Sequence, residues 1–147
     1  MRAIRRRLET RAPAGPILAP MASTRTRVYV VDDLPSMRAR LAELLHDIEG
    51  VDIVGEAGDP ETAIAGILDQ RPEFVLLDYQ LEGGTALDVL RTVHPQVPDT
   101  VFIVLTNHAS PPYRRACTKA GAQYFFDKSS EFGRISSVIA GLEPAPH

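Results

Sequence analysis

Cysteine is almost missing: Cys117 is the only one in a chain of 147 residues. No internal disulfide can form, and the chain reads as one kept in a reducing compartment, the cytoplasm. Long apolar runs are missing too, none approaching the roughly 20 residues that a membrane-spanning helix needs. The basic N-terminus is not followed by the apolar stretch of a secretory signal, because prolines interrupt Ile17-Leu18-Ala19. His46, His94 and His147 are scattered without the spacing of a metal site. No internal repeat is present. What is there is ordinary for a soluble domain: 44% apolar and 24% charged residues, with a length that fits one domain and a normal core.

Charge is unevenly spread. Residues 1–27 hold seven arginines against Glu9 alone, whereas the other 120 residues hold nine basic and eighteen acidic groups. An acidic body argues against nonspecific nucleic-acid binding. Residues 1–24, with Pro13, Gly15, Pro16 and Pro20 among clustered arginines, read as a disordered leader. Met21, just before the first strand, offers an alternative start of translation. The folded domain is expected over 25–147.

From Arg27 onward the pattern is regular. Val28-Tyr29-Val30-Val31 is a strand ending at Asp32-Asp33, and Pro35 suits the first turn of a helix reaching about Asp47, with Met37, Leu41, Leu44, Leu45 and Ile48 at helical spacing. Val51 to Ala57 alternates as a strand, and Asp59-Pro60-Glu61 opens a second helix that Arg71-Pro72 ends. Phe74 to Leu77 is an unbroken apolar run delivering Asp78 to its end, followed by a helix from Thr85 to about His94. Thr100 to Leu105 is a buried strand, Pro111 to Gly121 a helix, Ala122 to Phe126 a strand, and Glu131 to about Gly141 the last helix. Five strands alternating with five helices predict an α/β fold, a doubly wound parallel sheet with helices on both faces.

Parallel strands share a direction, so Asp32-Asp33, Asp78, Thr106 and Lys128 are all expected at one edge, where α/β sheets bind ligands. Three neighbouring carboxylates repel one another unless a cation is shared among them. An all-oxygen set favours a hard ion such as Mg²⁺. With Lys128 as a second positive charge, the cluster suits a phosphoryl group: Asp78 as nucleophile, the cations neutralising oxygens, Thr106 donating a hydrogen bond.

Val31-Asp32-Asp33, Leu77-Asp78, Leu105-Thr106 and Phe125-Phe126-Asp127-Lys128, in this order and spacing, resemble the receiver domain of two-component response regulators, over Arg25 to about Gly141. The resemblance implies a flavodoxin-like sheet with strand order 2-1-3-4-5. It implies that Asp78 takes a phosphoryl group from a sensor histidine kinase or a histidine phosphotransfer protein. Asp33 would bind Mg²⁺ (or Mn²⁺) directly, Asp32 largely through water, and the backbone carbonyl of Gln80 would complete the protein ligands, with Asp78 itself in the set. Thr106 and Lys128 would grip the phosphoryl oxygens, and Phe125 would be the aromatic switch, since Tyr124 points to the opposite face.

Further roles follow from position. Gln80 and His108 stand where receivers tune hydrolysis of the acyl phosphate. Pro35, Met37, Arg38 and Leu41 match the region where the kinase docks, while Arg114 and Arg115, with Lys119, form a basic cluster that reads as a solvated helix face or a docking surface. The expected output is contact with a protein partner through the face of helix four, strand five and helix five, including a homodimer formed on phosphorylation, with no direct nucleic-acid or membrane contact. The chain is expected to stand alone and to perform only Mg²⁺-dependent self-phosphorylation and autodephosphorylation.

The chain departs from the receiver pattern at Glu82 and Ala86, where proline and glycine are usual, at Asn107, and at Ser129, where a proline after a cis bond is usual. A cis bond before serine costs about 3–4 kcal/mol, so it is expected only if the site imposes it. One rival reading is an interaction module that keeps the fold without phosphorylation; its mark would be loss of an acid, the threonine or the lysine. A haloacid-dehalogenase-like phosphohydrolase is another, but it resembles Asp-x-Asp after strand one, unlike the adjacent pair here.

Overall fold

The computed structural model describes residues 25–142, so the expected leader over 1–24 lies outside the described residues. The elements in order are β1 (Thr26–Val31), α1 (Pro35–His46), β2 (Val51–Ala57), α2 (Pro60–Gln70), β3 (Phe74–Asp78), α3 (Ala86–Val93), β4 (Val101–Thr106), α4 (Pro111–Ala120), β5 (Tyr124–Asp127) and α5 (Arg134–Ile139). A two-residue antiparallel hairpin, Gln80–Leu81 against Gly84–Thr85, lies between β3 and α3. The five main strands form one parallel sheet in the order 2-1-3-4-5.

The core has two halves, one on each face of the sheet, because successive strand side chains point to opposite sides. Val31, Val75, Leu77, Phe102, Val104 and Phe125 pack beneath α2, α3 and α4. Val28, Val30, Leu76, Ile103, Leu105 and Phe126 pack beneath α1 and α5. Tyr29 lies on the first side, and its ring fills a slot left by two glycines. An ideal Cβ on Gly55 would fall 2.4 Å from Tyr29 Cε2, and one on Gly66 would fall 1.9 Å from the phenol oxygen.

Local chemistry sets the element ends. Asp59 accepts from Thr62 N at 3.2 Å as the N-cap of α2, whose last residue is followed by Arg71 in the left-handed region at φ 46°. Thr85 and Asp88 close a capping box on α3. Two expected boundaries need correction. The fifth strand begins at Tyr124, not Ala122, because the Ala122 N–H is spent on the Cys117 carbonyl at the end of α4. The last helix begins at Arg134, not Glu131. Asp127 Oδ1 gathers Ser129 N, Ser129 Oγ and Ser130 N into an Asx turn that competes with helix. The Lys128–Ser129 peptide lies within that turn and is trans, so the site imposes no cis bond there. No helix among the described residues is long and apolar enough to cross a membrane.

Candidate functional site

The C-terminal ends of four strands meet. Asp32 and Asp33 follow β1, Asp78 closes β3, Thr106 closes β4, and Lys128 follows β5. Backbone bonds brace the edge: Tyr79 N donates to Leu105 O and Lys128 N to Thr106 O, each at 2.8 Å. The sheet register therefore carries the reactive side chains to one place.

Lys128 Nζ lies 2.9 Å from Asp78 Oδ1 and 2.9 Å from Asp32 Oδ2. Carboxylate oxygens of Asp32, Asp33 and Asp78 all fall within 4.8 Å of one another. One ammonium thus faces three carboxylates, two more negative charges than it can balance. Asp32 is fully buried, and Asp78, Thr106 and Lys128 are nearly so. Burial pushes the Asp78 carboxyl up to about 6; Lys128 pulls against that shift, and Asp32 and Asp33 add to it. For Lys128 burial acts downward, but the hydrogen bonds it donates to Asp78 and Asp32 outweigh it and hold the ammonium above its ordinary range.

The donor set fits a hard divalent ion: every available atom is oxygen, the charge is in excess, and the oxygens are close. The four polar groups of Asp32 are already engaged. Its N–H donates to Ala57 O, Oδ1 accepts from Leu34 N, Oδ2 meets Lys128, and its carbonyl accepts from Arg38 Nη1. Gln80 is exposed on the hairpin opposite Thr85, whose N–H goes to Asp88 Oδ2 at 2.9 Å.

Thr106 Oγ1 accepts from His108 N at 3.0 Å, leaving the hydroxyl hydrogen for another acceptor. The His108 side chain lies on the exposed side of the loop. Phe125 is buried, with the Arg114 guanidinium carbon 5.0 Å from its ring centroid and Arg114 Nη1 bonded to its backbone carbonyl at 3.1 Å. Tyr124 lies on the other face with Phe126. Arg115 is exposed, as expected.

The expected docking set around α1 is only partly available. Pro35 is exposed, but Met37 is half-buried against the core and Leu41 is wholly buried, so Leu41 holds the helix to the sheet and offers no contact surface. Arg38 is committed to Asp32 and Glu56 rather than free for a partner. Leu34, 54% exposed at the rim of the acid cluster, was not singled out from sequence because one apolar residue between an acid and a proline makes no pattern. The tilted Tyr79–Tyr113 ring pair, centroids 5.1 Å apart, was also missed, since its partners are 34 positions apart in sequence.

Residues 28–140 match the family model of the response regulator receiver domain. The response regulator UvrY of Escherichia coli K12 is 30% identical over 115 residues, covering 78% of this chain and 53% of that protein. The DNA-binding transcriptional activator DevR/DosR of Mycobacterium tuberculosis is 31% identical over 119 residues, covering 81% of this chain and 51% of that protein. The chain spans about half the length of these relatives. Among solved structures, the signal receiver domain of NarL from Mycobacterium tuberculosis superposes with a TM-score of 0.74 at 28% identity, covering 80% of this chain and 94% of that one. The response regulator domain of Thermotoga maritima CheB, at 20% identity and a TM-score of 0.69, shares the fold. The chain belongs to the response regulator receiver domain family.

Proposed function

We propose that this protein is the phosphoacceptor of a two-component phosphorelay, with Asp78 as the acceptor. The observation that carries the reading is the convergence of Lys128 Nζ on Asp78 and Asp32 inside a cluster of three carboxylates. An Asp78 carboxylate oxygen attacks the phosphorus of a phosphohistidine on a kinase or phosphotransfer protein. The P–N bond breaks, its electron pair returns to the imidazole nitrogen, and an acyl phosphate remains on Asp78. Asp33, Asp78 and the Gln80 carbonyl would hold Mg²⁺ or Mn²⁺, with Asp32, whose oxygens are engaged, helping through water. When bound, the ion neutralises charge on the transferring phosphoryl oxygens.

The new group carries about -1.5 to -2 charge beside Lys128 and Thr106. Lys128 shifts its hold from a carboxylate oxygen to a phosphoryl oxygen, and the Thr106 hydroxyl turns to donate to another. That movement changes the space open to Phe125, and with it Arg114 and α4. The face of α4, β5 and α5 then presents a different surface to a protein partner or to a second copy. Gln80 and His108, both exposed beside the pocket, set how readily water reaches the acyl phosphate. The domain acts in the cytoplasm, carries no catalytic activity beyond its own phosphorylation and dephosphorylation, and does not itself contact nucleic acid.

Incubation with Mg²⁺ and a small phosphodonor, followed by intact mass, tests the reading. One phosphoryl group on the wild type and none on Asp78→Asn is expected. An unmodified wild type would instead mark an interaction module that keeps the fold alone.

A further inference from the structure

Arg38 lies in the first turns of α1, yet its guanidinium turns back beneath the site. Nη1 donates to the Asp32 carbonyl, and Nε pairs with Glu56 Oε1 at 3.3 Å. The side chain is 23% exposed. Gly58 leaves room for it: an ideal Cβ there would lie 3.2 Å from Nη1 and 3.6 Å from both Asp32 O and Asp33 Cα.

The Asp32 carbonyl belongs to the peptide plane that joins Asp32 to Asp33, and that plane is rigid. Holding its oxygen sets the direction in which both carboxylates leave the backbone. Of the four polar groups of Asp32, two are satisfied by backbone and one by Lys128, which grips the far end of the side chain. Among the described residues, Arg38 alone supplies a side-chain clamp on the backbone between the acids. A planar fork suits this task, because it reaches two acceptors, one just after β1 and one in β2, in one fixed geometry, which an ammonium does not.

We propose that Arg38 is a positioning residue for the acid pair: clamped between the Asp32 carbonyl and Glu56, it orients Asp32 and Asp33 toward the divalent ion, an inference resting on the phosphoacceptor reading above. The sign separates this role from simple electrostatics. A cation beside an acidic cluster opposes binding of a second cation, so by charge alone the loss of Arg38 tightens Mg²⁺. By positioning, its loss weakens Mg²⁺.

The test is Mg²⁺ titration of backbone amide shifts in the unphosphorylated protein for wild type, Arg38→Met, Arg38→Lys and Glu56→Asp, with thermal melts alongside. Phosphorylation rates from a small phosphodonor are measured across the same Mg²⁺ range. Arg38→Met and Arg38→Lys are both expected to weaken Mg²⁺ by roughly tenfold, as loss of an outer-shell partner of a metal ligand does. Their rate at saturating Mg²⁺ should return to that of the wild type. Glu56→Asp keeps the charge but shortens the reach to Arg38 Nε without touching α1; charge alone predicts no change, so a weaker Mg²⁺ affinity, smaller in effect than for the Arg38 variants, is expected, and it carries the test should the Arg38 variants melt below the assay temperature. Unchanged or tighter Mg²⁺ in a folded Arg38 or Glu56 variant overturns the proposal while leaving the phosphoacceptor reading standing. A wild type that binds no Mg²⁺ overturns both.

Discussion

Lys128 Nζ stands as close to Asp32 Oδ2 as to Asp78 Oδ1, 2.9 Å from each, and so bridges two members of a three-acid cluster. The ammonium partly neutralises a site whose charge otherwise opposes folding.

Lys128→Met removes the only cation paired with the Asp32 and Asp78 carboxylates among the described residues. Losing one partner of a buried pair leaves uncompensated charge, and after discounting for the solvent-facing side of the pocket the cost is about 2–3 kcal/mol in Mg²⁺-free buffer. Urea denaturation should show that loss, and added Mg²⁺ should recover part of it. An unchanged urea midpoint would mean that the ammonium does not neutralise the cluster.

Asp78→Asn should act in the opposite direction. Burial raises the Asp78 carboxyl to about 6, above its unfolded value, so its contribution to folding is complete below about pH 4 and is lost as pH rises through 6. At pH 7.5 without Mg²⁺ the amide variant should be more stable by about 1–2 kcal/mol, and the gain should vanish toward pH 4. Thermal melts of both proteins across that range give the answer; a gain that persists at pH 4 contradicts it.

Gly66→Ala is expected to destabilise, although alanine is the better helix former by about 1 kcal/mol. The added Cβ would fall 1.9 Å from Tyr29 Oη and 2.5 Å from Cζ. Overpacking of this kind costs about 1–3 kcal/mol or more, which outweighs the propensity gain. Tyr29→Phe removes the nearest atom, so the double variant should be less destabilised than the sum of the single ones. Strict additivity in urea denaturation would place the strain elsewhere.

Cys117 should resist alkylation in the native protein. It is wholly buried on α4, and burial pushes its thiol up to about 11, so at pH 8 roughly one molecule in a thousand carries the reactive thiolate. Intact mass after iodoacetamide should show no adduct until denaturant is added. Prompt native labelling would mean that α4 opens readily.

The fold was legible because each level of the chain agreed with the next. Phe74 to Leu77 is apolar on both faces and could only be an interior strand, and Asp59-Pro60 at α2 and Thr85 at α3 announce helix starts by their own chemistry. Boundaries slipped where a backbone donor or a side chain bonds outside its own element. Ala122 N turns back to Cys117 O, and the Asp127 side chain captures the residues that helical periodicity had assigned to α5. Around α1, Leu41 belonged to the apolar stripe that local spacing marks as core, and there the local pattern proved the better guide than positional resemblance.

The order of residue types along the chain determined that two adjacent acids, a central aspartate, a threonine and a lysine reach one edge, since alternating elements force parallel strands and parallel strands share a direction. Which of them touch was decided only in three dimensions. Lys128 selects Asp32 and Asp78, Arg38 turns inward to the Asp32 carbonyl, and Arg114 closes over Phe125. Those contacts join strands and helices up to 96 positions apart. They depend on sheet register and helix placement to a fraction of an ångström, and no local pattern encodes such a distance.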